Sequence, residues 1–468
     1  MTERRLLYAV LAAALVVGFF LTQFRVHPDA RPIGTPEDIA SLLDREDVNV
    51  LFLLVDTLRA DRLGAYGYDR PTSPTIDHLA RTGVRFANHL SQSSWTKTSM
   101  ASIWTAMYPN RTGILRFDNA LPDGATMPAE ILRDGGFVTA GIWRNGWVAP
   151  TFGFQQGFDV YHRPEIGASI HSVRRDSKNP YAKIEGSDQD AVDGAIEFLR
   201  SYKDERFFLY VHFMDAHQYL SDEESAIFGT TYSDLYDNSV HWTDRQVAAI
   251  LAALDQYGLR DETLVVIASD HGEAFLEHGN EGHAKDLHRE VVRTPWILSF
   301  PFSLEEGIVV DAQSENVDLW PTVLDLVGQG RMEGADGRSR VPEMLTAAGL
   351  ESPEPVGPPR PSFAELDRSW GKADLESSPL IAVTTGNWRY MRGFGPGSGA
   401  KLFDLTADPL EKKDLLAEVG APLDTAEFEA EVEGYLDSPE PAWRKDVGRV
   451  ELDDMQKGQL RAIGYAID

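Results

Sequence analysis

Leu264-Val-Val-Ile-Ala-Ser-Asp-His-Gly-Glu273 is the stretch that decides the fold. Its apolar half shows no alternation of apolar and polar residues, the pattern of a strand covered on both faces rather than one. Its polar half places Asp270 and His271 where that strand should end. Four other runs share the first half of the pattern, at 48–55, 137–143, 207–213 and 296–300. Helical patterns lie between them, at 73–81, 100–107, 128–134, 188–202 and 232–257. The last carries Val240, Val247, Ile250, Leu251 and Leu254 at helical spacing. This alternation predicts an α/β fold with a mostly parallel sheet flanked by helices.

In open parallel sheets, ligands gather at the carboxyl ends of the strands. Here those ends carry metal- and anion-binding groups. Asp56 follows the first run, Arg144 and Asn145 the second, Asp215 and His217 the third, Asp270 and His271 the fourth. One aspartate after a strand is commonly just a turn cap. Three strands converging with Asp and His together point to a divalent metal ion. Mixed carboxylate and imidazole donors favour Zn²⁺ or Mn²⁺, while all-oxygen sites suit Ca²⁺ or Mg²⁺.

The 468-residue chain has no cysteine, which removes disulfides, thiolate nucleophiles, iron–sulfur clusters and Cys-type zinc sites. It carries 73 acidic against 44 basic residues, a formal charge of −29, which argues against nucleic acid as a partner. Segment 6–24 is apolar and long enough to span a bilayer, and Arg4 and Arg5 precede it. The expectation is a membrane anchor (or signal peptide) over 1–30, with the body extracytoplasmic, periplasmic or extracellular. A catalytic α/β domain is expected over 47–350, a Pro-rich linker or loop over 351–361, and a C-terminal α+β subdomain with an acidic helical tail over 362–468. Within that tail, 425–436 and 452–463 read as helices.

Several segments resemble the sulfatase family of the alkaline phosphatase superfamily. They are Asn49-Val-Leu-Phe-Leu-Leu-Val-Asp56, Ser94-Trp-Thr-Lys-Thr-Ser-Met100, Phe152-Gly-Phe-Gln-Gln-Gly-Phe-Asp-Val-Tyr161, the opening stretch itself, Asp404-Leu-Thr-Ala-Asp-Pro-Leu-Glu411 and Leu460-Arg-Ala-Ile-Gly-Tyr465. Their order and spacing are more specific than any one alone. The resemblance implies an alkaline-phosphatase-like sheet and a metal held by Asp56, Thr96, Asp270 and His271. It implies further that Asp215, His217 and His283 serve as second-metal ligands or donors to the transferred group. Arg144 falls near a substrate-binding segment and is expected to clamp an anionic oxygen. Lys97, next to the nucleophile, is expected to neutralise charge. His278 lies in the same His-rich stretch as His283.

The chain departs from the family at one position. Sulfatases place Cys or Ser at the start of a C/S-x-P-x-R motif and oxidise it to formylglycine. Here that position is Thr96, and neither the Pro nor the Arg of the motif is present. A hydroxyl nucleophile there resembles the phosphodiesterases and the phosphoglycerol and phosphoethanolamine transferases. The expected activity is therefore metal-dependent hydrolysis or transfer of phosphate esters, of phosphodiester or phosphonate type, through Thr96. Two alternatives are a sulfuric ester hydrolase and a non-catalytic, membrane-tethered binder of anionic glycan or lipid headgroups. The expected partner is an anionic ester carried by a glycan, a lipid headgroup or a small molecule.

Overall fold

The structure is a computed structural model. It describes residues 29–164, 186–372, 374–395, 397–417, 424–452, 456–458 and 460. Segment 6–24, expected to cross a membrane, lies outside the described residues. Among the described residues, no helix is long and apolar enough to do so.

The central sheet has eight strands. In chain order they are β1 (Asn49–Val55), β2 (Val84–Phe86), β3 (Val138–Ile142), β4 (Val160–His162), β5 (Phe207–Phe213), β6 (Thr263–Ala268), β7 (Trp296–Ser299) and β8 (Ile308–Val310). Their spatial order is β8-β2-β7-β6-β1-β5-β3-β4. β1 lies in the middle, with Leu51 opposite Leu209 of β5 on one side and Val265 of β6 on the other, both pairings parallel. The sheet is mixed, because β7 runs antiparallel to both β6 and β2. The other five pairings are parallel, so the mostly parallel expectation holds for every strand except β7. A four-residue apolar run carries no information on direction, so β7 looked like its neighbours.

The absence of alternation in β1 has a structural cause. Val50, Phe52 and Leu54 enter the core on one face, and Leu51, Leu53 and Val55 enter a second core on the other. Fully burying such a side chain contributes roughly 1.5–3 kcal/mol, so both faces must be covered. On the second face lie α4 (Asp188–Ser201) and α5 (Tyr232–Tyr257), following α1 (Pro74–Arg81), α2 (Thr96–Thr105) and α3 (Pro128–Asp134) in the chain. On the first face, Trp104 of α2 meets Phe52 edge-on at 5.9 Å. It also stacks at 5.3 Å on Trp320 of α6 (Leu319–Leu326).

Every residue of α2 is buried. The helix begins at Thr96, four residues earlier than its apolar pattern predicted. The polar Thr-Lys-Thr-Ser opening lies outside the apolar pattern, yet it is buried and helical. It ends where Ala106 adopts a left-handed φ of 53°.

A second, four-stranded sheet is antiparallel throughout, in chain order: β9 (Ser362–Asp367), β10 (Pro379–Thr385), β11 (Trp388–Gly393) and β12 (Ala400–Asp404). Helix α7 (Ala426–Leu436) packs Val432 and Tyr435 against Ile381, Val383 and Tyr390 of that sheet. Residues 353–361 form neither helix nor strand. Most of 452–463, read as a helix, lies outside the described residues.

Candidate active site and metal centre

The carboxyl ends of β1 and β6 are neighbours, so Asp56 and the Asp270–His271 pair meet there. One ligand atom from each of Asp56, Asp270 and His271 lies within 4.8 Å of the others, and all three residues are buried. The two carboxylates divide their oxygens in the same way. Asp56 Oδ2 receives Asn145 Nδ2 at 2.6 Å and lies 3.1 Å from His212 Nε2. Asp270 Oδ1 receives the backbone N–H of His271 at 2.9 Å and that of Thr57 at 3.3 Å. The remaining oxygens, Asp56 Oδ1 and Asp270 Oδ2, are buried without a hydrogen-bond partner. They lie 4.0 and 3.3 Å from His271 Nε2.

Two buried anionic oxygens left bare beside an imidazole nitrogen would be costly without a cation. The donor set therefore fits a divalent metal ion. His271 Nδ1 lies 3.0 Å from the Gly272 carbonyl, which only accepts, so Nδ1 carries the proton and Nε2 presents its lone pair to the centre. The Tyr210 hydroxyl, 2.7 Å from His212 Nδ1, similarly turns the His212 Nε2–H toward Asp56.

Electrostatics agree with this geometry. Although burial opposes ionisation, the histidines His217, His212 and His271 hold Asp56 well below the usual carboxylate range. Burial, aided by the Asp56 charge, pushes Asp270 up. The two carboxylates compete for one ionised state unless a cation lies between them.

Thr96 completes the centre. Its Oγ1 lies 3.1 Å from His271 Nε2 and 3.4 Å from Asn145 Nδ2. Trp95 occupies the N-cap of α2 and Thr96 is the first helical residue, so Thr96 is not a capping side chain. Ser99, one turn along α2, donates to the Asp270 carbonyl at 2.6 Å and ties the helix start to the β6 loop. Thr57, a β-branched residue at φ 63°, is held by Tyr236, whose hydroxyl donates to the Thr57 carbonyl at 2.7 Å. That left-handed backbone is costly for threonine and is retained where it aims an N–H at Asp270.

His217 and His283 border the centre. The His283 ring lies 4.5 Å from that of His271 and 4.8 Å from that of His217. His283 Nδ1 is 3.2 Å from Glu273 Oε1. Burial holds His217 down to about 3, so it is neutral near pH 7.

Three expected site residues are placed elsewhere. Lys97 Nζ donates to the Phe117 carbonyl at 2.7 Å and lies 3.6 Å from the centroid of the Phe152 ring. Burial there drives it well below the ordinary lysine value, and its amine faces Phe117 and Phe152. Arg144 donates Nη1 to Asp188 at 2.7 Å and to Asp215 at 2.6 Å. Asp215 also accepts Trp242 Nε1 and the Asp188 N–H, each at 2.8 Å, and is not among the metal-binding triad. Arg144 and Asp215 thus belong to a buried ion-pair network beneath the site. Removing the cation leaves two buried carboxylates uncompensated, so Arg144→Met should cost about 3–5 kcal/mol. Denaturant unfolding checks this; a loss below about 1 kcal/mol would show that Arg144 does not hold the network. His278 bridges Glu290 Oε1 at 2.6 Å and the Glu411 carbonyl at 2.8 Å, outside the triad.

Asn145 and His212 contact Asp56 and were not assigned a role by sequence reasoning. Both stand at strand ends in the quoted runs. Asn145 Oδ1 accepts the Trp147 N–H at 2.9 Å, which turns its amide nitrogen toward Asp56 and Thr96.

Comparison with known proteins is consistent across sequence and structure. An ulvan-active sulfatase of Formosa agariphila is 28% identical over 404 residues, covering 79% of this chain and 77% of that protein. A choline-sulfatase of Rhizobium meliloti is 25% identical, covering 82% and 85%. A solved 2-O GAG sulfatase shares the fold with a TM-score of 0.68 at 17% identity, covering 90% of this chain and 96% of that one. These names overturn the expectation of phosphate-ester chemistry that Thr96 had prompted, since the relatives are named for sulfate esters. A hydroxyl at the nucleophile position does not by itself choose phosphorus over sulfur. The sulfatase family model matches residues 48–329, more than half of the chain. With the metal-binding triad at the ends of β1 and β6, the chain belongs to the sulfatase family of ester-hydrolysing enzymes.

Proposed function

We propose that the chain is a sulfuric ester hydrolase that passes the sulfuryl group to Thr96 and then to water. The observation that carries this is Thr96 Oγ1, 3.1 Å from His271 Nε2 and beside two partnerless carboxylate oxygens. A divalent ion held by Asp56, Asp270 and His271 supplies a Lewis acid that favours the threonine alkoxide and withdraws charge from the sulfate oxygens. One imidazole among the donors favours Zn²⁺ or Mn²⁺ over Ca²⁺ or Mg²⁺.

Thr96 gives its proton to solvent before the first attack and is returned as the alkoxide at the end of each cycle. Its Oγ1 then bonds to sulfur as the bond between sulfur and the ester oxygen breaks. The departing alkoxide takes a proton from the His283 imidazolium, which Glu273 stabilises. Water next attacks the threonyl sulfate, gives its proton to the now neutral His283, and restores Thr96 with release of sulfate. Asn145 Nδ2 orients the Thr96 oxygen, and neutral His217 stands where it can donate to a sulfate oxygen.

Similarity to an ulvan-active sulfatase supports a sulfated saccharide as the ester. The apolar segment 6–24 behind Arg4 and Arg5 supports a membrane-anchored enzyme with its catalytic domain outside the cytoplasm. The test is an aryl sulfate assay after reconstitution with Mn²⁺, Zn²⁺, Ca²⁺ or Mg²⁺. Release of inorganic sulfate, strongest with Mn²⁺ or Zn²⁺, is expected; no release with any of the four ions overturns the reading.

A further inference from the structure

A second concavity opens at the same end of the central sheet, on the side of β2 and β8. It is a cavity of about 480 Å³, enclosed by the ends of those strands, the Pro-rich segment and the second sheet. None of Asp56, Thr96, Asp270 or His271 lines it, but Arg289, Arg293, Arg338, Arg340, Arg360 and Arg389 do.

Four of these arginines have carboxylate partners. Arg340 and Arg360 are tied to Asp318, Arg338 and Arg340 share Glu343, and Arg389 Nε lies 3.2 Å from Glu411. Arg289 and Arg293 differ. Among the described residues, neither guanidinium forms an ion pair, although Glu411 and Asp61 act on Arg289, and Asp61 on Arg293, through space. The hydrogen bond recorded for the Arg293 side chain is Nη2 to the Ala87 carbonyl at 3.2 Å, and its Nε is buried without a partner. The backbone N–H of Arg289 goes to Glu411, while its guanidinium forms no ion pair. Burial, reinforced by repulsion from Arg293 and Arg389, holds Arg289 down to about 10. Both residues also line an adjoining cavity of about 160 Å³, together with Arg59 and Lys412 and the acidic Asp61, Glu277 and Glu290. In a chain of formal charge −29, six arginines against Asp311, Glu343 and Glu411 make this lining locally positive.

We propose that this cavity binds a sulfate oxyanion on Arg289 and Arg293, separately from the metal centre. The guanidinium fork matches the spacing of two oxygens on a tetrahedral anion, and both forks here have donors to spare. The anion has two sources of the same chemistry. It is free inorganic sulfate, or it is a second sulfate group on a chain whose neighbouring ester occupies the metal centre. The second source rests on the proposed function; the first does not.

Protection from an arginine reagent tests this on the full-length wild-type protein. Phenylglyoxal modification of Arg289 and Arg293 is followed by peptide mass spectrometry, with sodium sulfate added at constant ionic strength set by chloride. Sulfate should slow modification of both residues by about tenfold at saturation, the scale of one or two charged hydrogen bonds. Equal rates with and without sulfate overturn the proposal. In a Thr96→Ala background, sulfate protection should persist; its loss there would place the anion at the metal centre and overturn the separate site. A sulfated oligosaccharide that protects at lower concentration than inorganic sulfate identifies the substrate-borne source. Equal potency identifies the free ion. Sulfate protection without any ester hydrolysis would leave this site standing while the catalytic reading fails.

Discussion

Thr96→Ala should lower kcat for sulfate-ester hydrolysis by on the order of 10⁴-fold or more while leaving the thermal unfolding midpoint nearly unchanged. The rate prediction follows from the position of Oγ1, which lies 3.1 Å from His271 Nε2 and 3.4 Å from Asn145 Nδ2. The stability prediction follows from the role of α2. Its anchor is Trp104 against Phe52 and Trp320, and Thr96 is not its N-cap, so losing the side chain should cost little. Thr96→Ser keeps the hydroxyl and should retain a large share of the activity. Steady-state kinetics on the three proteins, with unfolding curves alongside, checks both halves. If Thr96→Ala kept more than about a tenth of wild-type kcat, Thr96 would not be the nucleophile.

Asp56→Asn should have an effect of similar size through a different route. The change removes the negative charge that faces the centre through Oδ1, and its amide cannot accept from both Asn145 and His212 while still presenting an anionic oxygen. Metal affinity should fall by about a hundredfold or more, since even the outer partners of metal ligands are worth roughly ten- to a hundredfold. Turnover should fall with metal occupancy. The apo protein should lose stability as well. The folded state favours the ionised Asp56 carboxylate, held there by His217, His212 and His271, and that contribution is present above the ordinary carboxylate range. Removing the charge in Asp56→Asn should therefore leave the metal-free protein less stable than wild type near pH 7. Metal analysis and unfolding of stripped protein measure both effects. Unaltered metal affinity in Asp56→Asn would remove Asp56 from the ligand set.

Most of the architecture was legible because burial writes itself into composition. Runs without alternation, such as Leu51 to Val55, identify strands that enter two cores at once. Polar groups placed directly after such runs, Asp56 and Asp270–His271, then meet because their strands are neighbours. Direction was not legible for β7, whose four residues are equally apolar either way round. Side-chain aim was not legible either. Lys97 follows Thr96 by one residue, but one helical step turns it about 100° away, into the Phe117 and Phe152 pocket. Arg144 and Asp215 carry the right charges at the right strand ends, yet they satisfy each other below the centre. The choice between sulfur and phosphorus rests on groups far apart in the chain, and a threonine in place of the formylglycine precursor pointed the wrong way. Asn145 was visible only as the end of a run; its function appears once Trp147 fixes its amide.

The claim that the sulfuryl group passes through Thr96 is tested most directly by the stereochemical course at sulfur. An isotopically chiral aryl sulfate is hydrolysed by the metal-loaded enzyme, and the configuration of the released sulfate is read. Two in-line displacements, first by Thr96 and then by water, predict net retention. Inversion would mean that water attacks the ester directly, and would contradict the account.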